Sequence, residues 1–371
     1  MKVLMISTDQ TILGQGSKSF KRMLWQASLV ESLIVLVLKN YQNNEPVTEN
    51  NLKIFGLKST HRSVQWLEAK QLGVNLIKKY QPDVVSCQDP FYTGYLGYIL
   101  SRGKKMGLNI QLHGDFFSSR FWRRENFSNY IKYFLGLKML QHADSIRVVS
   151  KRIEDSIVER GVAREKIIKV SIPVSEMPLG GDGAEAADFF AFKNRFIYAG
   201  RFSREKNLSL LIKSFAQHAK NHKADGLYLI GDGVMKQELM HEVALIGLGD
   251  NIKFFGWQEN LKSFFTRARA LVLPSFYEGW SRVCVESLLN RVPVIMTDVG
   301  CAGELVRDGV NGIVVPVNDK NFLTKAISRL SEDDEFYEKL VAGAPSAVAA
   351  LPSEDEARHL YIKSWKLAVK K

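Results

Sequence analysis

Features that mark membrane-spanning and secreted chains are missing from this sequence of 371 residues. No apolar run approaches the roughly 18–20 residues of a membrane-spanning helix, and the longest candidate, Leu33–Leu38, has only the length of a strand. The first residues carry no long apolar region before a small-residue cleavage site, so they predict a strand and not a signal peptide. Cys87, Cys284 and Cys301 are far apart and form no Cys-x-x-Cys pair, which indicates a reducing compartment. We therefore expect a cytoplasmic protein.

Positive charge is concentrated in the first half of the chain. Residues 1–180 contain 26 Lys and Arg against 15 Asp and Glu, a balance of +11, whereas residues 181–371 contain 25 against 24, a balance of +1. A generally basic background would affect both halves equally. The asymmetry instead indicates a surface that attracts a polyanion, anionic lipid headgroups or a phosphorylated substrate.

Short runs rich in β-branched residues alternate with amphipathic segments along almost the whole chain. This alternation predicts parallel sheets with right-handed crossovers and helices on both faces. The expected strands are Val3–Ser7, Leu33–Leu38, Val84–Cys87, Ile110–His113, Ile146–Val149 and Ile168–Ile172, then Phe196–Ala199, Leu227–Ile230, Ile252–Phe255, Ala270–Leu273, Val294–Thr297 and Ile313–Val315. Helices are expected in the first half at Ser63–Lys79, Tyr92–Lys105 and Asn129–His142.

A segment with the composition of a linker separates the two halves. Residues 173–188 contain two prolines and three glycines but few apolar residues. We therefore predict an α/β protein of two Rossmann-like, doubly wound domains, residues 1–173 and 174–352, facing a central cleft. The amphipathic segment 353–371 is expected to form a helix that crosses back to the first domain. Ligands of such sheets bind beyond the carboxyl ends of the strands.

The strongest chemical signal is the segment Pro274–Glu286. Apolar residues recur at helical spacing after Ser281, which is the expected N-cap of a helix. Glu278 then lies on a strand-to-helix loop beside Gly279, which allows close approach of the backbone to a ligand. Glu286 lies about one turn into the helix and leans back toward its N-terminus. Two such carboxylates suit the vicinal hydroxyls of a sugar and a ribose; the alternative is a pair of surface glutamates favoured by the helix dipole.

A second signal lies in the segment Gly200–Leu208. Arg201 and Lys206 follow a predicted strand and precede a helix whose expected N-cap is Asn207. Free N–H groups at a helix start, together with two cations, suit a diphosphate. Solvated basic residues in an ordinary turn are the alternative. The next strand closes on a Gly-Asp-Gly turn, which is a weak signal by itself.

Together and in this order, the motifs resemble the donor domain of the family 4 retaining glycosyltransferases, which have the GT-B fold. The resemblance covers residues 195–318. The matching positions are Gly200-Arg201 with Lys206, Gly231 with Gly233, Pro274-Ser275 with Glu278 and Glu286, Pro293-Val294, Thr297-Asp298-Val299-Gly300, and Glu304-Leu305-Val306 with Gly309 and Gly312. The sequence departs from the family at Trp280-Ser281, where Phe-Gly is common, and at Asn290-Arg291, where a small residue and Gly are common.

The resemblance implies a role for each matching position. Arg201 and Lys206 bind the donor diphosphate and stabilise it as a leaving group. Glu286 binds the ribose hydroxyls, and Glu278 holds the donor sugar together with the loop around it. The further donor-binding positions are Gly200, Gly231, Gly233, Phe276, Tyr277, Gly279 and Trp280.

The first half resembles the family less closely. The glycine-rich loop that normally reaches the donor after the first strand is represented by Gly14 and Gly16, in a Gly-x-Gly arrangement. His113 ends a predicted strand beside a glycine and resembles the family's histidine at the mouth of the cleft; a hydrogen-bonded structural histidine is the alternative. To His113 and Glu278 we assign positioning and charge stabilisation at the reacting centre, not double displacement.

The resemblance further implies transfer of a hexose-type sugar with retention at the anomeric carbon. The donor is a UDP- or GDP-linked co-substrate, no separate cofactor is expected, and the acceptor is expected to be a glycan or a lipid-linked sugar. The chain contains no Asp-x-Asp, so we expect cations and a helix N-terminus to replace a metal. A catalytically silent nucleotide-sugar binder and another GT-B enzyme, such as a sugar-nucleotide epimerase, remain alternatives. Charge alone also allows a nucleic-acid-binding protein, but the motifs argue against a nucleic-acid partner. The oligomeric state stays open.

The basic first half also suggests docking on an anionic membrane surface, with peripheral attachment to its inner face. Aromatic and basic residues mixed on one short helix can lie at the headgroup boundary. The candidate aromatics are Phe116, Phe117, Phe121, Trp122, Tyr130, Tyr133 and Phe134, among Arg120, Arg123, Arg124, Lys132 and Lys138. The alternative is that these aromatics are core and the arginines form the rim of an acceptor pocket.

Overall fold

The computed structural model describes residues 1–41, 43, 45–171 and 192–370, apart from the side chain of residue 62, and it forms two compact units. The first unit contains Met1–His113, Arg123–Val170 and Asp355–Lys371, and the second contains Gly114–Trp122 and Ser171–Glu354. The predicted linker 173–188, and with it the junction between residues 173 and 174, lies outside the described residues. Among the described helices, none combines the length and the apolar character needed to cross a bilayer.

The first unit is built on an eight-stranded sheet. Its strands are β1 (Lys2–Ser7), β2 (Ser32–Asn40), β3 (Val47–Glu49), β4 (Leu52–Leu57), β5 (Val84–Cys87), β6 (Gly107–Leu112), β7 (Ser145–Val148) and β8 (Ile167–Lys169). The spatial order is β3-β4-β2-β1-β5-β6-β7-β8, and all neighbours are parallel except β3 and β4. β5, β6 and β7 are buried along their whole length, as expected of parallel strands covered on both faces.

The helices between these strands are α1 (Lys18–Ala27), α2 (Arg62–Tyr80), α3 (Tyr92–Ser101), α4 (Arg120–Glu125), α5 (Phe127–His142) and α6 (Lys151–Val158). All belong to the first unit except the first three residues of α4, which belong to the second. The connections β4–α2–β5, β5–α3–β6 and β6–α5–β7 all progress in one direction across the sheet. Right-handed crossovers therefore place α2, α3 and α5 on one face, where α3 packs against both of the others. The connection through α1 runs in the opposite direction, so α1 lies on the other face.

The second unit has a six-stranded parallel sheet. Its strands are β9 (Arg195–Ala199), β10 (Gly226–Ile230), β11 (Ile252–Phe255), β12 (Ala270–Leu273), β13 (Val294–Thr297) and β14 (Gly312–Val315), in the order β11-β10-β9-β12-β13-β14. Its helices are α7 (Leu208–Ala219), α8 (Lys236–Ile246), α9 (Lys262–Phe265), α10 (Arg282–Leu289), α11 (Lys320–Glu332) and α12 (Asp334–Ala349). The order reverses beside β9, which makes the carboxyl ends of β9 and its neighbours the expected place for a ligand.

The last helix, α13 (Glu354–Lys366), returns to the first unit, as predicted. Trp365 is fully buried there in the core that α1 covers, and its indole N–H donates to Ser86 Oγ at 3.1 Å. Ser145 Oγ donates to the Ser364 carbonyl at 2.6 Å. Gly107 has no room for a side chain, because an added Cβ would lie 1.7 Å from the Ala368 carbonyl oxygen. The C-terminal segment is thus part of the first unit's core.

Strand–helix alternation was a sound guide to the fold. A strand of the structure overlaps every predicted strand, and the predicted α/β class with two Rossmann-like units is confirmed. The prediction lacked β3 and β4, a hairpin that turns at Asn50 (φ 53°) and adds the antiparallel edge of the first sheet. The helix predicted as Tyr92–Lys105 ends at Ser101, just before Gly103, which has φ 71°.

Candidate functional site

Three loops of the second unit follow adjacent strands and lie at one edge of the sheet. β9, β10 and β12 are neighbours, so the segments after Ala199, Ile230 and Leu273 leave the sheet side by side. These are the segments that carry the sequence motifs. A backbone hydrogen bond from Phe276 N to Glu205 O, 2.8 Å long, ties the loop after β12 to the loop after β9.

The glycines of the loop after β10 permit backbone-to-backbone packing. An added Cβ at Gly231, which has φ 140°, would lie 1.9 Å from Gly200 O, and one at Gly233 would lie 2.4 Å from Phe202 O. Phe202 N donates to Asp232 O at 2.8 Å across the same contact. Close packing of the two loops therefore accounts for Gly231 and Gly233, whether or not either glycine also contacts a ligand.

Lys206 and Glu278 form an ion pair in which Lys206 Nζ lies 2.6 Å from Glu278 Oε1. The same carboxylate oxygen accepts a hydrogen bond from Ser275 Oγ at 2.8 Å. The Glu278 side chain is 10% exposed and that of Lys206 is 19% exposed, so the pair is largely withdrawn from water. A Cβ on Gly300 would lie 2.6 Å from Glu278 Cβ, so the loop after β13 packs closely against Glu278. The structure thus brings together two residues that the sequence assigned separately to the diphosphate and to the sugar.

Arg201 is an exposed cation of this edge, and Arg204 in the same loop is exposed as well. The Arg201 carbonyl accepts a hydrogen bond from Tyr198 Oη at 2.8 Å. Burial raises the pKa of Tyr198 well above its usual value, and the negative charges of Glu278 and Glu205 add to this shift. Tyr198 therefore stays a neutral hydrogen-bond donor that supports the loop after β9.

The rest of the motif lies in the loop before α10 and in that helix. Phe276 and Tyr277 are half-buried, Gly279 is buried, and Glu286 is half-buried at the fifth residue of α10. Trp280 is only 8% exposed, and its Nε1 is a buried donor with no acceptor in the described part of the chain. Ser281 occupies the N-cap position of α10 as predicted, but its side chain makes no capping hydrogen bond.

Asn207 occupies the N-cap position of α7 but does not cap it through its side chain. Its backbone is left-handed (φ 52°), and its amide donates to Asn318 Oδ1 at 3.4 Å. The predicted position is correct and the predicted capping bond is wrong, because the left-handed turn points the side chain toward another loop.

The first unit presents His113 immediately after β6. Arg147, a buried residue of β7, has Nη2 3.2 Å and 3.3 Å from the two ring nitrogens of His113. The same guanidinium donates to Gln111 Oε1 at 3.0 Å and to Tyr361 Oη at 2.6 Å. Sequence reasoning missed Arg147, although an arginine inside a predicted buried strand was a visible signal.

The environment of His113 favours its neutral form. Part of the residue is open to solvent, but protein atoms surround the ring. The resulting loss of hydration is the main cause that lowers the pKa of His113 well below its usual value. The positive charges of Arg147 and Arg22 lower it further. A neutral imidazole at neutral pH suits hydrogen bonding to a substrate better than charge pairing with one.

The Gly-x-Gly loop of the first unit follows a short 3-10 turn, Gln10–Leu13. Gly14 ends that turn, and Gly16 is exposed with φ 89° and no atom within 4 Å of an added Cβ. Ser17 caps α1 by accepting a hydrogen bond from Phe20 N at 3.0 Å. The loop is therefore open at the carboxyl end of β1, where a ligand is able to approach its backbone.

The predicted mixed aromatic and basic helix over 116–124 is wrong in this form. Only Arg120–Glu125 is helical, and Phe117 and Trp122 are buried. Within the second unit, Phe121 stacks on Phe276 with ring centroids 4.0 Å apart. Further along, Tyr133 is buried too. These aromatics are core or ring-stacking residues, because apolar partners lie within reach once the chain is folded.

Two family models match the chain, "Glycosyltransferase Family 4" over residues 45–174 and "Glycosyl transferases group 1" over residues 186–346. The chain belongs to the group 1 glycosyltransferases. This glycosyltransferase is 28% identical over 218 residues to the N-acetylgalactosamine-N,N'-diacetylbacillosaminyl-diphospho-undecaprenol 4-alpha-N-acetylgalactosaminyltransferase of Campylobacter jejuni, a match that spans 58% of each chain. It is 26% identical to an uncharacterized glycosyltransferase of Methanocaldococcus jannaschii over 92% of this chain and 91% of that one.

The fold of the glycosyltransferase is GT-B. It is similar to the structure of Anabaena HepE in complex with UDP-glucose, with a TM-score of 0.75, 16% identity and 99% of each chain covered. Among the described residues, no group of three or more His, Cys, Asp and Glu side chains is arranged to hold a metal ion.

Proposed function

We propose that this glycosyltransferase moves a hexose-type sugar, with retention, from a UDP- or GDP-linked donor to a lipid-linked sugar or glycan. The observation that carries the proposal is the edge at β9, β10 and β12, where the Lys206–Glu278 pair lies among three joined loops. The acceptor class is supported by the Campylobacter relative, whose name specifies an undecaprenol-linked substrate. The donor class is supported by the HepE complex with UDP-glucose. We also propose that the protein acts in the cytoplasm, at the inner face of a membrane.

The charges at this edge suggest how the donor would be held. Arg201 is exposed and supplies a cation for the diphosphate. The positive charge of Lys206 is largely neutralised by Glu278, so Lys206 contributes less than Arg201 to stabilising the leaving diphosphate. Glu278 Oε1 accepts hydrogen bonds from Lys206 Nζ and Ser275 Oγ, so we assign Oε2 to a hydroxyl of the donor sugar. A carboxylate held by a lysine and a serine is oriented for hydrogen bonding and charge stabilisation. We propose that the acceptor hydroxyl attacks the anomeric carbon on the face from which the diphosphate departs, so that the new glycosidic bond forms as the bond to the phosphate oxygen breaks. A phosphate oxygen of the leaving diphosphate takes the acceptor proton, and no metal is required.

Turnover of nucleotide sugars by wild type and Glu278→Gln tests the proposal. We expect hydrolysis or transfer from one UDP- or GDP-hexose, α-configured product by NMR, and unchanged activity in EDTA. Glu278→Gln should lower kcat by about 10²–10³, because the charge at the reacting centre is lost. Glu242→Gln is the matched control, because Glu242 on α8 also accepts a hydrogen bond from a serine and forms an ion pair with a lysine. Binding without turnover would instead identify a silent nucleotide-sugar binder, and equal effects of both substitutions would remove Glu278 from the site.

A further inference from the structure

An apolar surface on α5 faces solvent instead of the core. Phe127, Tyr130, Ile131 and Phe134 are spaced at helical intervals and are 78%, 51%, 54% and 55% exposed. The buried residues Asn129, Tyr133, Gly136 and Leu140 define the opposite side of the same helix. A surface helix normally carries polar residues opposite its core side. The first two turns of α5 depart from this rule. We call the four exposed residues, Phe127, Tyr130, Ile131 and Phe134, the apolar face of α5.

Exposed apolar residues also occur on α3, which packs against α5, and on α2, which packs against α3. Tyr92 and Tyr95 are exposed in the first turn of α3, and Val64 and Leu67 are exposed at the start of α2. Trp66 joins the two helices, because its ring stacks on Tyr95 with centroids 5.6 Å apart. Each helix begins at the carboxyl edge of the parallel sheet, so these residues all lie toward the same edge.

The charged residues that flank the apolar face of α5 in the sequence are almost all positive. Arg123 and Arg124 precede it, and Lys132 and Lys138 lie on α5, which contains no acidic residue. Glu125 is the single acidic residue between positions 120 and 142. Aromatic and aliphatic side chains bordered by lysine and arginine are the composition of surfaces that insert into the headgroup region of anionic bilayers.

We propose that the apolar face of α5, with the exposed starts of α2 and α3, docks on the surface of an anionic lipid bilayer. The aromatic rings enter the boundary between headgroups and acyl chains, and the lysines and arginines pair with lipid phosphates. This inference deepens the proposed function, because such a surface brings the first unit to a lipid-linked acceptor. It concerns different residues from those of the donor edge, so each can fail separately.

Flotation with phosphatidylglycerol–phosphatidylcholine vesicles tests the docking. The full-length protein should float at low salt, and the floated fraction should fall as ionic strength rises. Phe127→Ser/Phe134→Ser should lower the vesicle partition coefficient about tenfold or more, because two rings no longer enter the boundary. Phe322→Ser is the matched control, since Phe322 on α11 is 54% exposed against 55% for Phe134. The control variant should float like wild type.

Three results would overturn the proposal. The first is failure of the wild type to float at low salt, and the second is an equal loss of flotation in Phe322→Ser. The third is a change in sedimentation mass of Phe127→Ser/Phe134→Ser without vesicles, which would make the face a contact between copies of this chain. Nucleotide-sugar hydrolysis by the same samples separates the two hypotheses. Hydrolysis without flotation would refute only the docking hypothesis, and flotation without any turnover would refute only the proposed function.

Discussion

At the scale of single residues, Lys206 and Arg201 are no longer equivalent cations. Lys206 is paired with the buried Glu278, whereas Arg201 is exposed. Arg201→Ala should lower kcat by about 10²–10³ with little change in stability. Lys206→Met should lower kcat and also destabilise the fold by about 3 kcal/mol, because it leaves a buried carboxylate without its cation. Thermal unfolding and steady-state kinetics check both, and equal stability of the two variants would contradict the pairing.

Trp280 offers a second test at this scale. A buried indole N–H without an acceptor costs about 1–3 kcal/mol, and Nε1 of Trp280 is such a donor. If the donor sugar supplies the acceptor, Trp280→Phe should leave stability equal or higher and raise KM for the donor about tenfold. Unfolding curves and donor titrations measure the two effects. A destabilised variant with an unchanged KM would place the role of Trp280 in packing alone.

His113 gives the first unit a testable pH dependence. Its folded pKa is well below the value of about 6.5 of an unfolded chain. Its contribution to stability is therefore present above pH ~6.5 and is lost as pH falls through the folded pKa. An NMR titration should show a neutral ring at pH 7. Arg22→Gln should raise the pKa of His113, whereas the control Lys21→Gln should not. Equal shifts in the two variants would show that Arg22 has no specific effect on His113.

At the scale of elements, the segment after α13 packs against one position without a side chain, Gly107. Gly107→Ala would place a methyl group against the Ala368 backbone, which has no flexible end that can move away. We expect a loss of about 1–3 kcal/mol of unfolding free energy. Gly249→Ala is the control, since nothing lies within 4 Å of an added Cβ there and its φ is not positive. Equal unfolding curves for the two variants would show that the C-terminal segment shifts without cost.

At the scale of the whole molecule, the proposed donor should stabilise the protein by mass action. A nucleoside diphosphate at about 100 times its Kd raises the unfolding free energy by about 2.7 kcal/mol. In a thermal-shift panel, one base among UDP, GDP and ADP should give the largest rise in Tm, with or without EDTA. A rise that appears only with Mg²⁺ or Mn²⁺ would contradict the proposed metal-free diphosphate site.

Much of the fold could be predicted from the sequence because strands and helices leave local periodic signals. β5, β11, β12 and β13 begin and end where the hydrophobic pattern predicted. The β3–β4 hairpin was missed because β3 has only three residues at the sheet edge, and because β4 buries only Leu52, Ile54 and Leu57 of its six residues, which leaves its apolar pattern interrupted. The same local signals located the loops after β9, β10 and β12, since Gly and polar residues stand out after buried strands.

The sequence by itself determined the order of the elements, the two parallel sheets and the segments that carry the chemistry. Only the tertiary structure paired Lys206 with Glu278, 72 positions apart, and placed Arg147 between His113 and Tyr361. It also buried Trp122 while leaving Phe127 exposed, although both belong to one aromatic, basic stretch. The physical reason is that periodicity is written within a few residues, whereas burial and ion pairing depend on which distant strands become neighbours in a sheet.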